Sequence, residues 1–441
     1  MKKIKVAVAI LLIFLLSGCS VFSFNEYNIM CPPKATGNKA HIQKLIDKQS
    51  KGSYTLKYPK NGNNRSSIIM HDIDFDEEEE AIAFYSDKEG EHIHALFVEY
   101  ENDEYVIVDD ILLEVSALDR VDFADLNADK KSEILIGCAS STSSQNALSV
   151  YSYNSGDSQK VKAFTTSYTY SSLVTGDFNS DKKDDVLLIS LYSGDIASKA
   201  TLLTHNNSSL SEIGSTELDS NITALANVQY GQISYGTYGA FIDGISSAGD
   251  YTTQVVLFDK SAPALLNPLF SYSGYNLTRR STQVCSTDFN KDELIDIPVC
   301  SLMEHSEKEN ADSVSRRIDW SNFNAETFAL ASAQSAIICP KDGYVLTIPQ
   351  KWSENVTARY DESLRETTIY QYAYVSNEFK LQDKIVTIKA YSDDNFNKDN
   401  SGFTEFMRAG STVYAYSIGN ADKYLTVSGD EITSLFTLVN Q

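Results

Sequence analysis

Residues Gly176–Ile189, GDFNSDKKDDVLLI, decide the fold, because they place a dense group of acidic side chains directly before a strand-like apolar run. Asp177, Asn179, Asp181 and Asp185 occupy positions 1, 3, 5 and 9 of this segment. Oxygen donors on alternate residues of a tight loop can surround a hard divalent cation such as Ca²⁺. The segment therefore predicts a cation-binding loop or, as the alternative, a solvated acidic turn before a strand.

The same spacing occurs three more times. The copies lie in DIDFDEEEEAIAF, DLNADKKSEILIG and DFNKDELIDIPV, where positions 1, 3, 5 and 9 are Asp72, Asp74, Asp76 and Glu80; Asp125, Asn127, Asp129 and Glu133; and Asp288, Asn290, Asp292 and Asp296. Successive copies begin 53, 52 and 111 residues apart, so the last interval is about two periods. Four copies at one spacing indicate a repeated structural unit.

The long interval contains ITALANVQYGQISYGTYGAFIDG, residues 222–244, in which Asn227, Gln229 and Gly231 replace the acidic residues. We interpret it as a fifth repeat that has lost its cation site. Each unit holds about four short runs of β-branched and aromatic residues, bounded by Asn, Asp, Gly or Ser. A period of this size with four strands per unit predicts an all-β fold, a β-propeller of about five four-stranded blades.

The acidic loops resemble those of the FG-GAP and VCBS repeats of integrin-α-like propellers, whose calcium loops follow D-x-D-x-D-G-x-x-D. This resemblance covers residues 60–335 and implies structural calcium in the loops. More narrowly, CPPKATGNKAHIQKLIDK and DGYVLTIPQKW are similar to segments of VCBS-repeat lipoproteins of Firmicutes, a family without an established activity. The glycine of the pattern is replaced by Glu77, Lys130, Lys182 and Glu293, so we expect weakened affinity or some empty loops.

The N-terminus, MKKIKVAVAILLIFLLSGCS, combines lysines, an apolar run and small residues before Cys19. This pattern is typical of a secretory signal and is too short for a comfortable membrane span. LSGC resembles a bacterial lipobox, which makes Cys19 the expected lipidated residue and predicts a chain anchored in the cell membrane on its extracytoplasmic face. An ordinary secreted protein is the alternative.

The charge balance argues against nucleic acid as a partner. The chain has a formal net charge of −23, which becomes −26 without residues 1–18 because only lysines are lost. Phosphate binding needs basic patches that this sequence lacks. An acidic chain instead suits solubility and the attraction of cations.

The cysteines leave two arrangements open. Cys285 and Cys300 flank the last acidic loop on neighbouring strands of one predicted hairpin, which favours a cross-strand disulfide in an oxidising compartment. Buried free thiols are the alternative. No C-x-x-C spacing occurs, so zinc and redox roles lack support.

The chain is predicted to comprise a signal peptide (1–18), a tether (19–38), a helix with Ile42, Leu45 and Ile46 on one face followed by a strand (39–60), the propeller (61–338) and a small α+β domain (339–441). In the last of these, ITSLFTLVNQ is interpreted as a strand and FTEFMRAG as a short helix.

Motifs for nucleophilic, metalloprotease or nucleotide chemistry do not occur in the sequence. The sequence therefore predicts a lipid-anchored module that binds a protein or a cell-surface glycan. The alternative is a polysaccharide-active enzyme that uses carboxylates from several blades on the propeller face.

Overall fold

A computed structural model describes residues 36–439 except 88–91, 116, 140–144, 165–167, 195–196, 271–275, 305–315 and 399–401. The predicted signal peptide, most of the tether, Cys19 and Cys31 lie outside the described residues. Within the described ranges the chain is mostly β, in antiparallel sheets of four or five strands. It divides into two compact units: α1 and sheet 1 form the first, and the second groups residues 59–65 and 73–75 with the chain from Ala117 onward.

The first unit combines one helix with a five-stranded sheet, sheet 1. Its elements are α1 (Asn38–Gln49), β1 (Tyr54–Leu56), β2 (Ile68–His71), β3 (Glu80–Asp87), β4 (Ile93–Glu101) and β5 (Glu104–Leu113). The strands β1 and β2 both pair with the same edge of β3. The helix forms where the 3.6-residue spacing predicts it, and fully buried Ile42 and Ile46 pack against apolar residues of β2–β4.

Sheets 3 and 4 are antiparallel meanders, and in sheet 2 the last two strands both pair with the third. Sheet 2 contains β6 (Leu118–Ala124), β7 (Glu133–Cys138), β8 (Asn146–Tyr153), β9 (Val161–Ala163) and β10 (Tyr168–Tyr170). Sheet 3 contains β11 (Ser172–Gly176), β12 (Asp185–Ser190), β13 (Lys199–Asn206) and β14 (Ser209–Glu217). Sheet 4 contains β15 (Ile222–Ser234), β16 (Thr237–Ser246), β17 (Tyr251–Asp259) and β18 (Ala264–Leu266).

The packing of neighbouring sheets explains the unbroken apolar run VLLI in β12. Leu188 belongs to an apolar core shared with sheet 2, whereas Leu187 belongs to a core shared with sheet 4. Both faces of β12 are therefore covered, and every residue of the strand is buried. A strand covered on both faces has no reason to alternate apolar and polar residues.

Sheet 5 contains β19 (Ile297–Leu302), β20 (Arg316–Asn324), β21 (Ala329–Cys339), β22 (Tyr344–Thr347) and β28 (Phe436–Leu438). Its expected first strand, before Asp288, is reduced to one bridge between Thr287 and Asp296. Residues from the predicted C-terminal domain thus contribute β22 and β28 to this sheet.

The disulfide predicted between Cys285 and Cys300 does not form. Both residues are free thiols, as are Cys138 and Cys339. In the register fixed by the Thr287–Asp296 bridge, Cys285 is opposite Pro298 and not Cys300. Since the hairpin is not a regular ladder, the two thiols are not a cross-strand pair.

Sheet 6 contains β23 (Val356–Asp361), β24 (Glu366–Val375), β25 (Glu378–Ser392), β26 (Thr404–Ala409) and β27 (Thr412–Ile418), with α2 (Asp393–Lys398) after β25 and α3 (Gly429–Leu435) before β28. The predicted helix FTEFMRAG is wrong, because this segment forms β26 and pairs with β27. The predicted strand ITSLFTLVNQ starts as α3 instead. Ser428 and Glu431 form a capping box there, a sequence signal that we missed.

A buried ion pair replaces the missing strand pairing at the start of sheet 5. Arg280 and Asp243 are fully buried, with Nη2 and Oδ1 3.0 Å apart. Asp243 Oδ2 accepts hydrogen bonds from the amide and the hydroxyl of Ser286, at 2.9 and 2.7 Å. Asp243 lies in β16, so this network fastens the irregular segment 280–286 to sheet 4.

Removing one partner of this pair is expected to be costly. Asp243→Ala leaves the Arg280 guanidinium buried and unpaired, so the free energy of unfolding should fall by about 3–5 kcal/mol. The neighbouring Arg279 offers a matched control, because its ion pair with Asp250 is exposed and Arg279→Ala should cost less than about 1 kcal/mol. Urea unfolding of both variants measures the difference. Similar losses in both would contradict a structural role for the buried pair.

Candidate functional site: acidic loops and a polar cavity

Four acidic loops connect strands at equivalent places. We name them loop 1 (72–80), loop 2 (125–133), loop 3 (177–185) and loop 4 (288–296). In each, the position 9 residue pairs across the ladder with the residue just before position 1; the pairs are His71–Glu80, Ala124–Glu133, Gly176–Asp185 and Thr287–Asp296. The spacing seen in the sequence therefore corresponds to one repeated hairpin geometry.

The loops share an unusual backbone. Position 6 has a left-handed conformation in all four, with φ of 76° at Glu77, 69° at Lys130, 71° at Lys182 and 72° at Glu293. These are the positions where the sequence replaces the glycine of the resembling pattern. Position 4 is left-handed too, at Phe75, Ala128, Ser180 and Lys291, which the sequence did not indicate. Each such residue costs about 1–2 kcal/mol, so other contacts must hold the turns.

Acidic side chains of the loops supply those contacts. In loop 3, the Asp177 carboxylate accepts hydrogen bonds from the amides of Asp181 and Lys182, both at 3.1 Å. The same bonds to positions 5 and 6 occur in loops 1 and 4. Position 5 accepts from the amide of position 7 in every loop, at 2.9–3.0 Å. Carboxylates and amides thus hold the left-handed turn by bonds within the loop itself.

Position 9 is where the loops bury charge. Glu133, Asp185 and Asp296 are almost or completely buried, and burial raises the pKa of these carboxyls to about 7, 6 and 6 respectively. Glu133 accepts from the Leu126 amide at 2.9 Å, and Asp296 accepts from the Phe289 amide at 3.1 Å. Their desolvation is therefore only partly offset.

Asp185 is the extreme case. Its side chain is fully buried, and within the described part of the chain neither carboxylate oxygen has a hydrogen-bond partner. The Thr204 side chain and the amides of Phe178 and Asn179 lower its pKa in part, but none of them makes a well-formed hydrogen bond to it. A buried carboxylate without a partner is costly and calls for a cation or a proton.

The remaining predicted ligands sort by position. Position 1 residues are half-buried, and Asp125 Oδ1 is buried with no partner among the described residues. Asn127, Asn179 and Asn290 each accept from the amide of position 5. Asp76, Asp129 and Asp181 are exposed, and Asp292 is half-buried. In loop 1, Asp72, Asp74 and Glu80 each offer an oxygen, and these oxygens lie within 4.8 Å of one another. The donor set is all oxygen, which fits a hard divalent cation.

Asp184 is a residue that sequence reasoning missed. Its carboxylate accepts from the Asp125 amide at 3.1 Å, and its own amide donates to the Asp125 carbonyl at 2.9 Å. Loops 2 and 3 are therefore joined directly. The Ile295 amide of loop 4 donates to the Gln232 carbonyl of β15 in the same way. The one sequence signal that could have indicated Asp184 is the pair of adjacent aspartates, Asp184 and Asp185, at the end of loop 3.

The repeat that lost its loop contains a tight hairpin. The strands β15 and β16 continue to Ser234 and Thr237, and Tyr235 and Gly236 make the turn between them. Asn227, Gln229 and Gly231 lie within β15 and not in a loop. The loss of acidic residues in this repeat therefore accompanies the loss of the loop itself.

A polar cavity of about 820 Å³ lies in the second unit. Its walls come from segment 59–65 and from β6, β11 and β15, the first strands of sheets 2, 3 and 4. Arg120 and Asp122 of β6 line it, with Nη1 and Oδ2 3.6 Å apart. Burial raises the pKa of Asp122, an effect that Arg120 opposes. The cavity is a concave site that the sequence did not locate.

One residue links the cavity to loop 3. Tyr230 lines the cavity and donates its hydroxyl hydrogen to the Asp177 carbonyl at 2.8 Å. Its ring lies against Gly176, where an added Cβ would come within 2.6 Å of the ring. Position 176 therefore requires glycine for this contact.

The comparison with protein families identifies an FG-GAP-like repeat over residues 118–188. This range contains sheet 2, β11, loop 3 and the first four residues of β12, with loops 2 and 3 complete. No curated protein matches the chain. In the described part of the chain, no helix is long and apolar enough to cross a membrane.

The buried carboxyl of Asp185 gives a prediction on pH. Its folded-state pKa lies above the unfolded value, so ionisation between about pH 4 and 6 weakens the metal-free fold as pH rises. In the presence of a chelator, Asp185→Asn should therefore be more stable than the wild type at pH 7.5. This advantage should shrink as pH falls through 6 towards 4.

Thermal melting against pH measures this difference, and Asp383→Asn in β25 is the control, because Asp383 is an exposed carboxylate with no partner among the described residues. A pH-independent difference between Asp185→Asn and the wild type would contradict the assignment.

Proposed function

We propose that the protein is a lipid-anchored, extracytoplasmic β-propeller that binds a protein or a surface glycan and carries calcium in its structural loops. The observation that carries the binding role is the broad polar cavity bounded by the first strands of successive repeated sheets. The matched FG-GAP-like repeat supports it, since such repeats are often ligand-binding or protein-binding modules.

The propeller is supported by repetition of one pattern. Sheets 1–5 each contain four or five antiparallel strands, and loops 1–3 each join two paired strands, β2 to β3, β6 to β7 and β11 to β12. Apolar cores lie between sheets 2 and 3, 3 and 4, and 4 and 5. Each of sheets 2–5 would correspond to one blade, and sheet 1 to another.

Calcium is supported by what the loops lack. Asp185 has a fully buried carboxylate without a partner, and Asp125 has a buried oxygen in the same state within the described chain. In loop 2, Asp125, Asn127 and Glu133 would supply oxygen ligands to a divalent cation. In loop 3, Asp177, Asn179 and Asp185 would do the same. A bound cation would offset the desolvation of position 9 and stabilise the folded state.

Calcium should accordingly raise the melting temperature of the chelated protein. Replacing Asp177 and Asp181 by Asn should remove part of this rise, because two of the ligands in loop 3 lose their charge. The single variant Asp383→Asn should respond to calcium as the wild type does. Equal melting temperatures in calcium and in chelator would contradict the calcium proposal.

The anchor rests on the sequence pattern LSGC. Cys19→Ala should abolish fatty-acid attachment and either release the chain from the membrane or leave its signal uncleaved. Metabolic labelling with a fatty acid, followed by fractionation, measures both effects. Label retained on the Cys19→Ala chain would show that another residue carries the anchor.

The rival function is a polysaccharide-active enzyme. The observation that favours it is Asp122, a cavity carboxyl whose pKa is raised by burial, as a general acid requires. However, its neighbour Asp119 accepts hydrogen bonds from Asn61 and Tyr170, both at 2.7 Å, which suits a structural carboxylate better than a second catalytic one.

Affinity capture from solubilised cell envelopes, with the full chain as bait, tests the two functions together. The binding role predicts specific recovery of a protein or glycan that is not altered chemically. Hydrolysis of an envelope glycan that is lost in Asp122→Asn would replace the binding role with the enzymatic one. Recovery of nothing above the level of a boiled bait would contradict both.

A further inference from the structure

The cavity has a nearly neutral charge in a strongly acidic chain. Its described lining holds two arginines and two aspartates, Arg65, Arg120, Asp119 and Asp122, whereas the whole chain has 37 basic and 60 acidic residues. A cation site would need an excess of carboxylates, and a phosphate site would need an excess of basic groups. The balance therefore favours an uncharged ligand.

The hydrogen-bonding groups of the cavity fall into two sets. Some have structural partners: the Asn61 amide donates to Asp119 at 2.7 Å, and the Gln229 amide donates to the Ser286 carbonyl at 2.7 Å. In contrast, the side chains of Asn63, Asn227 and Thr175 line the cavity with no side-chain hydrogen bond in the described chain.

Arg120 and Asp122 are paired within the protein at the same wall. Nη1 of Arg120 lies 3.6 Å from Oδ2 of Asp122, and its Nε lies 3.7 Å from Oδ2 of Asp119. These charges are balanced inside the wall, so the uncharged polar side chains of the cavity are the groups left for a ligand.

The aromatic side chain that lines the cavity, Tyr230, is already engaged in contacts within the protein. The Tyr230 ring stacks on Tyr238 with centroids 5.7 Å apart and lies against Gly176. Its hydroxyl donates a hydrogen bond to the Asp177 carbonyl. Recognition in this cavity would consequently rest on hydrogen bonds and not on stacking or on apolar anchors. A peptide ligand usually needs such anchors or an open strand edge.

We infer that this cavity binds a neutral, hydroxyl-rich ligand, namely a short stretch of uncharged saccharide. The inference rests on the proposed binding function and names its ligand class and its site. The side-chain amides of Asn63 and Asn227 bridge pairs of sugar hydroxyls, and the Thr175 hydroxyl adds one further hydrogen bond. The volume of about 820 Å³ lies within the range of about 300–1,000 Å³ usual for small-ligand sites.

Isothermal titration calorimetry on the full-length chain tests this assignment. The probes are the tetramers of N-acetylglucosamine, glucose and mannose, the corresponding monosaccharides, and trialanine as a neutral peptide. We expect saturable binding of at least one tetramer. The double variant Asn63→Ala, Asn227→Ala should weaken it at least about tenfold, since two hydrogen bonds of about 1 kcal/mol each are lost.

The control is Asn397→Ala, an exposed amide in α2 that does not line the cavity. It should leave the affinity unchanged, and melting curves should show that all variants are folded. Binding of a monosaccharide as tight as that of its tetramer would identify a free sugar, and not a polymer segment, as the source of the ligand.

The inference is overturned if saccharides do not bind or if they bind elsewhere. If no tetramer or monosaccharide binds, or if only trialanine binds, the cavity is not a saccharide site; a partner recovered by affinity capture would still support the binding function. Sugar binding that the double variant leaves intact would place the site elsewhere. Hydrolysis of a tetramer that is lost in the double variant would keep the cavity as the saccharide site but defeat the non-catalytic function.

Discussion

The structure depends on one constraint: each acidic loop must turn through two left-handed residues and return in register with a buried carboxyl group. Glycine would meet the backbone requirement, yet Glu77, Lys130, Lys182 and Glu293 occupy position 6. The carboxylate at position 1 compensates by accepting a hydrogen bond from the backbone amide of position 6 in each loop. Position 9 then starts the next strand inside the core, where charge is costly. The conformation of the turn, the register of the strands and the burial of the position 9 carboxyl therefore depend on one another.

Loops 2–4 also form hydrogen bonds between neighbouring sheets. Asp184 joins loop 3 to loop 2 through two hydrogen bonds, and Ile295 joins loop 4 to β15. Where a repeat lacks an acidic loop, the fold uses other means. The hairpin of sheet 4 closes with two residues. Sheet 5 has loop 4 but lacks a regular first strand, and there the buried Arg280–Asp243 pair holds the irregular entry.

The cavity follows from the same arrangement. First strands of sheets 2, 3 and 4 carry polar residues on the side that faces it, among them Asp122, Thr175 and Asn227. Tyr230 connects this wall to the first carbonyl of loop 3. A cation that ordered loop 3 would thus also fix one wall of the proposed ligand site. The proposed metal site and the proposed ligand site would be coupled through Tyr230.

The local pattern could be predicted from the sequence: four loops at fixed spacing, strands on either side of them, and the helix α1 with Ile42 and Ile46 on one face. Local chemistry suffices there, since spacing and turn residues act over a few neighbours. The partnerless state of Asp185, the free thiols Cys285 and Cys300, and the cavity were decided by tertiary structure. Each depends on residues from different sheets, whose contacts no local pattern encodes. The two wrong predictions have different causes. Pairing with β27 makes FTEFMRAG a strand, which is a tertiary effect, whereas the start of α3 is set by a local capping box that we missed.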